Sequence, residues 1–349
     1  MSLNFQDTLK KAEAGDIDAQ YAIATAFFEG EEIAEDYAQA INWFRKAAES
    51  GHAESAYMMG RMCLRGMGLK EDPSEAAKWF TKALAHGLGL WYVWCDAVSV
   101  GDAYYFGRSG VAIDYAEAFR WYRVAADGGP LEYAMVKVGI MYAAGEGVLK
   151  DDAEAARWYR KAANLGDWEG WYKLGMCYKD GVGVEKDSQE AEKWFLLAAR
   201  KNHEDAQYAL GLMLVAGDAV DDCGCDEEYW LGMAAEKGHV MAQFALGEIY
   251  ESRARYASAC AWYRKAADQG HSFAQYLLGA RYYFGEGVPR NKINAYVYWS
   301  LAGFTEDARA KLVVLEKEMT AKQLAAGQRR LIRLRKVIAL KLAAKQASE

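Results

Sequence analysis

Residues 139–166 read GIMYAAGEGVLKDDAEAARWYRKAANLG, and their reading decides the fold. An apolar run closes at Gly145-Glu146-Gly147-Val148, Asp151 follows, and Trp158 comes next, preceded by alanines and followed by the pair Ala162-Ala163 before Gly166. Glycine ends a helix in a left-handed cap and lets the chain reverse. An acidic residue just after the reversal suits the start of a second helix. The segment therefore predicts the end of one helix, a tight turn, and a second helix closed by another glycine.

The same pattern recurs along the chain. The aromatic of the second helix appears at Trp43, Trp79, Trp121, Trp158, Trp194, Trp230, Trp262 and Tyr298, at spacings of 36, 42, 37, 36, 36, 32 and 36 residues. Ahead of each stands a small residue with a large one three positions before it: Ala24, Gly60, Gly101, Gly139, Gly175, Gly211, Gly247 and Gly279. Glycine inside a helix costs about 1 kcal/mol relative to alanine, so a glycine held in register implies a close approach of the partner helix. No single hairpin of this kind buries its own apolar faces, so the core forms only when neighbours stack. The expected fold is all-α, a right-handed α/α superhelical solenoid of about eight helix-turn-helix repeats with a C-terminal capping helix.

The expected boundaries are a lead helix over 1–14, repeats over 15–50, 51–86, 87–128, 129–165, 166–201, 202–237, 238–269 and 270–304, and basic capping helices over 305–349. Repeat three carries an insertion, GLGLWYVWCDAVSVG, and repeat seven loses its glycine turn in GEIYESRARYASACAWY, which accounts for the long and short spacings.

Composition agrees. Only 3 prolines against 33 glycines, with abundant alanine, favours helices punctuated by glycine turns over a β-rich fold. No run approaches the ~20 apolar residues that span a bilayer, and the N-terminus lacks the apolar stretch of a secretion signal. The expected location is the cytoplasm, or the periplasm where a leader has been removed. Cys63, Cys95, Cys177, Cys223, Cys225 and Cys260 share no repeat register and read as reduced thiols.

The pattern A-x-Y-x-L-G-x-x-Y-x-x-G-x-G-V, then D-x-x-x-A-x-x-W-Y-x-K-A-A-x-x-G, resembles the Sel-one-like repeat, a relative of the tetratricopeptide repeat, over roughly Gly15 to Phe304. The resemblance implies a superhelical adaptor or assembly scaffold in signalling or bacterial host-interaction settings, and no reaction.

Candidate chemistry is sparse. His52, His203, His239 and His271 occupy one register at the hairpin junctions, with His86 beside another; residues one repeat apart do not converge, so capping or packing is the expected role. The glycine turns lack a following Gly-Lys-Ser/Thr and follow no strand, which argues against nucleotide binding. Asp221-Asp222-Cys223-Gly224-Cys225-Asp226-Glu227-Glu228 offers two thiolates with no histidine in step, short of four zinc ligands, and reads as a solvated acidic loop. No catalytic residue, metal or cofactor is expected.

Four positions before the small residue, the first helices carry Gln20, Ala56, Ala97, Met135, Trp171, Gln207, Gln243 and Gln275; seven before it stand Trp94 and Trp168, with Trp91 a turn earlier than Trp94. Those positions share a helix face, and first helices normally line the inner surface of such a superhelix. Trp91, Trp94, Trp168 and Trp171, with Gln207, Gln243 and Gln275, are the partner-binding candidates; extra core packing at the repeat-three insertion is the alternative for the indoles.

The segment Ala321–Glu349 holds eight basic residues, among them Arg329, Arg330, Arg333, Arg335 and Lys336, against Glu349 alone, hence +7; with −7 for the whole chain, the remainder carries −14. So acidic a body argues against nucleic acid. The leading expectation is a non-catalytic scaffold or adaptor binding a peptide or partner protein in a concave groove. The alternative is a regulatory component recruited to an envelope or membrane surface through the basic helix.

Overall fold

The structure, a computed structural model, describes residues 3–30, 33–219, 225–303 and 306–348. Among these all regular structure is helical, and the chain divides into two compact units, Met1–Asp187 and Ser188–Glu349.

In the first unit α1 (Leu3–Glu13) precedes four hairpins: α2 (Ile17–Glu29) with α3 (Tyr37–Glu49), α4 (Ala53–Arg65) with α5 (Pro73–Ala85), α6 (Leu90–Phe106) with α7 (Tyr115–Gly128), and α8 (Glu132–Ala144) with α9 (Asp152–Asn164). The unit ends with α10 (Trp168–Asp180). The second unit opens with α11 (Ser188–Arg200). Its hairpins are α12 (Glu204–Ala216) with α13 (Glu227–Glu236), α14 (Val240–Ser252) with α15 (Tyr256–Ala267), and α16 (Ser272–Phe284) with α17 (Lys292–Ala302). Then come α18 (Glu306–Glu318) and α19 (Ala321–Ser348). The chain is an α/α repeat solenoid protein.

Helix packing within a hairpin turns on the register glycine. The residue after the marker tryptophan, not the tryptophan itself, fills the contact: a Cβ on Gly139 would lie 2.6 Å from the Tyr159 ring. Phe80, Tyr122, Leu231, Tyr263 and Trp299 meet the other register glycines in the same way, and Phe44 and Phe195, which also follow the marker tryptophan, are buried. Truncating a buried aromatic of this kind costs about 3–5 kcal/mol.

The turn works as its sequence promises. Gly145 takes φ 74° and Gly147 φ 70°, the Asp151 N–H donates to the Tyr142 carbonyl at 3.0 Å, and the Asp151 carboxylate accepts the Glu154 N–H at 2.9 Å. Gly147 also touches the preceding hairpin, because any Cβ there would collide with the Tyr115 carbonyl at the start of α7. In the α14–α15 hairpin three residues replace this turn, and Ala254 adopts the left-handed φ of 57° that glycine takes elsewhere.

At the C-terminus α19 lies along α17. Leu331 and Ile338 are buried, a Cβ on Gly327 would meet the Tyr296 ring at 2.7 Å, and the Arg335 guanidinium donates to the Ser300 carbonyl at 3.2 Å. No described helix is long and apolar enough to cross a membrane.

Candidate partner-binding surface

The histidines cap helices. The Nδ1 atoms of His52, His203, His239 and His271 accept the N–H groups of Ser55, Ala206, Ala242 and Ala274 at 3.0–3.1 Å, each three residues on, which fixes the proton of the neutral ring on Nε2. Asp16 and Asp167 do the same for α2 and α10. The rings of His52 and His271 also stack on Tyr21 and Phe244 of the preceding first helix, with centroids 4.6 and 4.5 Å apart. Burial holds the His271 pKa below the ordinary histidine range.

The glutamines expected to face a partner are placed otherwise. Gln207, Gln243 and Gln275 are buried, and their Nε2 groups donate to the Ala199, Ala235 and Ala267 carbonyls at 3.0, 2.9 and 2.9 Å. Those carbonyls belong to the last turn of the preceding helix, where each also accepts the backbone N–H of the residue three further on, Asn202, Gly238 and Gly270, at 3.0–3.1 Å. Trp171 substitutes for glutamine in the same role: it is half-buried, and its indole N–H donates to the Ala163 carbonyl at 2.8 Å, again eight residues back. These side chains therefore tie hairpin to hairpin.

The other three tryptophans divide. Trp94 is half-buried and packs at the end of α7, where a Cβ on Gly129 would come within 2.8 Å of its ring, so it belongs to the packing of the insertion. Trp91 is 61% exposed and stacks on Tyr92 at 3.7 Å, and Trp168, first residue of α10, is 51% exposed. Phe106 and Tyr133 are exposed on α6 and α8. The first-helix surface of the N-terminal unit thus presents large rings, with a different membership from the expected one.

A polar network was missed in the sequence. Five positions before the register glycine every other first helix has Ala, Ser or Gly; α6 has Asp96. Its carboxylate is buried, accepts the Tyr57 hydroxyl at 3.0 Å and the Arg65 guanidinium at 3.1 Å, and lies 3.8 Å from Arg61. Burial, then the Asp96 charge, pushes the Tyr57 hydroxyl up to about 12. Alignment of the repeats would have exposed this charge at a small-residue position.

In the second unit the basic residues of α19, Arg329, Arg330, Arg333, Arg335 and Lys336, are exposed around the docked apolar stripe. Between α16, α17 and α18 an apolar cleft of about 250 Å³ is lined by Tyr283, Phe284, Trp299 and Val314.

Nothing here resembles a reaction centre. Among the described residues no group of three or more His, Cys, Asp or Glu is placed to hold a metal ion. Of the acidic Cys-x-Cys loop, residues 221–224 lie outside the described residues. Burial pushes the Cys63 and Cys177 thiols up to about 11, away from nucleophilic thiolate.

Stacked hairpins, fixed by repeated caps and carrying rings on one helix set, define a class: the α/α repeat scaffold, typically a platform for protein interaction. The Sel1 repeat pattern matches residues 17–52, 53–88, 97–130, 132–167, 171–203, 204–221, 228–239, 240–271 and 272–303, and the chain belongs to that family. Segments 204–221 and 228–239 are the two halves of the sixth hairpin. The family is generally non-catalytic.

The chain is similar to the solved Sel1 repeat protein from Oxalobacter formigenes at 29% identity, over 90% of this chain and 91% of that one, with a TM-score of 0.63. It is also similar to c5321, a protective antigen of uropathogenic Escherichia coli strains, at 27% identity, over 98% of this chain and 88% of that one, with a TM-score of 0.52. No protein of curated function matches the chain in sequence.

Proposed function

We propose that the chain is a non-catalytic adaptor that receives a peptide segment or domain of a partner protein on the first-helix surface of its N-terminal unit. One observation carries this reading. Trp91 and Trp168 stand in solvent, whereas Trp121, Trp158 and Trp230 on the second helices are buried. Exposed apolar area forfeits roughly 25 cal/mol per Å², and tryptophan dominates interface hot spots once covered.

The test is a photo-crosslinking amino acid placed at Trp91, at Trp168 and, as a control, at the solvent-exposed turn residue Leu149. In cells of the source organism the first two positions are expected to capture a common protein that the third does not. Identical background at all three positions removes the reading.

A second reading, docking on an anionic membrane, is supported by the outward side of α19, where Ile332 and Leu340 are 69% and 62% exposed among Arg329, Arg333 and Lys336. Because α19 covers Tyr296, the charges are better reversed than the helix removed. Flotation with phosphatidylglycerol-containing vesicles is expected for the full chain and not for Arg329→Glu/Arg333→Glu/Lys336→Glu. A chain that stays with the soluble fraction in both forms ends this reading.

A further inference from the structure

Phe106, the last residue of α6, is 42% exposed and carries two cations against its ring. The Arg108 guanidinium carbon lies 4.6 Å from the centroid and the Lys137 ammonium 4.9 Å. Lys137 comes from the next first helix, α8, and also stands 5.0 Å from the Tyr105 ring and 5.2 Å from the Tyr133 ring. Contacts of this kind hold the ammonium in place without neutralising it.

The carboxylates whose charge reaches Lys137 make their direct contacts elsewhere. Asp102 accepts the hydroxyls of Tyr122 at 2.7 Å and Tyr133 at 3.0 Å, Glu146 accepts that of Tyr105 at 2.9 Å, and Glu169 pairs with Lys173 at 3.3 Å. Among the described residues no carboxylate lies within 4.0 Å of the side-chain nitrogens of Arg108 or Lys137, in contrast to Arg61 and Arg65, which share Asp96. Two like charges on one ring repel, and an anion between them would relieve that repulsion. Burial lowers the Lys137 pKa, Asp102 opposes that shift, and Arg108 adds to it.

We infer that Lys137 and Arg108, with the rings of Tyr105, Phe106 and Tyr133, form the subsite for an acidic side chain, Asp or Glu, on the partner protein; this inference rests on the adaptor reading above. A singly charged carboxylate matches the site better than a phosphate, because Asp102, Glu146 and Glu169 all lie close enough to act on Lys137 and repel a dianion more strongly. The ring surfaces suit the methylenes of an Asp or Glu side chain. The cradle is open, so most of the binding surface must come from the protein segment that carries the acid.

Two measurements decide it, both on the full chain. In the first, ¹³C-methylated lysine resonances are followed while sodium acetate replaces sodium chloride at constant ionic strength. The Lys137 resonance is expected to move saturably and further than that of Lys173, and Arg108→Gln is expected to abolish the difference. In the second, the chain is applied to an array of degenerate decapeptides with one fixed residue. Fixed Asp or Glu is expected to raise capture about fivefold over Asn or Gln. Lys137→Gln should lose that preference, and Lys137→Arg should retain it.

If acetate does not single out Lys137, the subsite is overturned whatever the peptides do. If capture depends on Trp168 but shows no preference for acid, the subsite falls and the adaptor reading stands. If no peptide is captured and the crosslinks at Trp91 and Trp168 are also empty, the adaptor reading falls and takes the acidic partner with it.

Discussion

The first helices α12, α14 and α16 of the second unit differ from α6 and α8 of the first in how they are held. Each of the three has a histidine N-cap and a buried glutamine bonded to the previous helix. Neither α6 nor α8 has a side-chain cap; Gly89 and Leu131 occupy the cap positions, and Ala97 and Met135 replace the glutamine. The exposed Trp91, Phe106 and Tyr133, the buried Asp96 and the ring-held Lys137 belong to α6 and α8, while the exposed Trp168 opens the capped α10 and Phe273 and Phe284 are exposed on α16. Repeat-wide holding devices are thus absent where side chains particular to one hairpin appear, a pattern expected when part of a scaffold is adapted to a ligand.

The largest test of this contrast removes the holding devices where they exist. His239→Ala/Gln243→Ala should cost about 2–4 kcal/mol, a cap contributing about 1 and the two hydrogen bonds of the Gln243 amide, to the Ala235 carbonyl and from Gln269, about 1–3 together. Urea unfolding should show the lower midpoint, and hydrogen exchange should show the loss centred on α14. Met135→Ala in α8 removes packing but no such hydrogen bond.

A pH test sharpens the same contrast. Burial lowers the His271 pKa in the folded protein, so the folded ring stays neutral where the unfolded one, near 6.5, has begun to take up a proton. The stability from this cap is therefore full above about pH 6.5 and declines as the pH falls below it. Asn caps at every pH, so His271→Asn should flatten the decline in urea midpoint between pH 7.5 and 5. An unchanged slope would assign the decline to other groups.

The smallest effect is a gain. Gly89→Asp supplies α6 with a cap and should add a few tenths of a kcal/mol, since glycine is already tolerable there. A Cβ at this position meets the Trp91 ring at 2.7 Å, so the same change should displace the indole and weaken crosslinking to a partner from position 168.

The architecture was legible because it is periodic: glycines, indoles and histidines in register each report one recurring contact. The glutamines were misplaced for a physical reason. Their register identifies a helix face, but their partners are backbone carbonyls of the previous helix, which no residue type announces. Trp171 stands in their register because its indole, like the amide, offers an N–H to the equivalent carbonyl. Lys137 was illegible because helices carry many surface lysines, and two of its three rings come from a different hairpin.

The second glycine of the turn has a wider consequence. Gly147 rests on Tyr115, Gly183 on Asp152 and Gly287 on Tyr256, each time the opening of the second helix one hairpin earlier. Where the Gly-x-Gly turn is kept, this joint is a backbone approach between immediate neighbours and does not depend on which residue opens the earlier helix. A hairpin that keeps this turn can therefore be inserted after any other without remaking the contact.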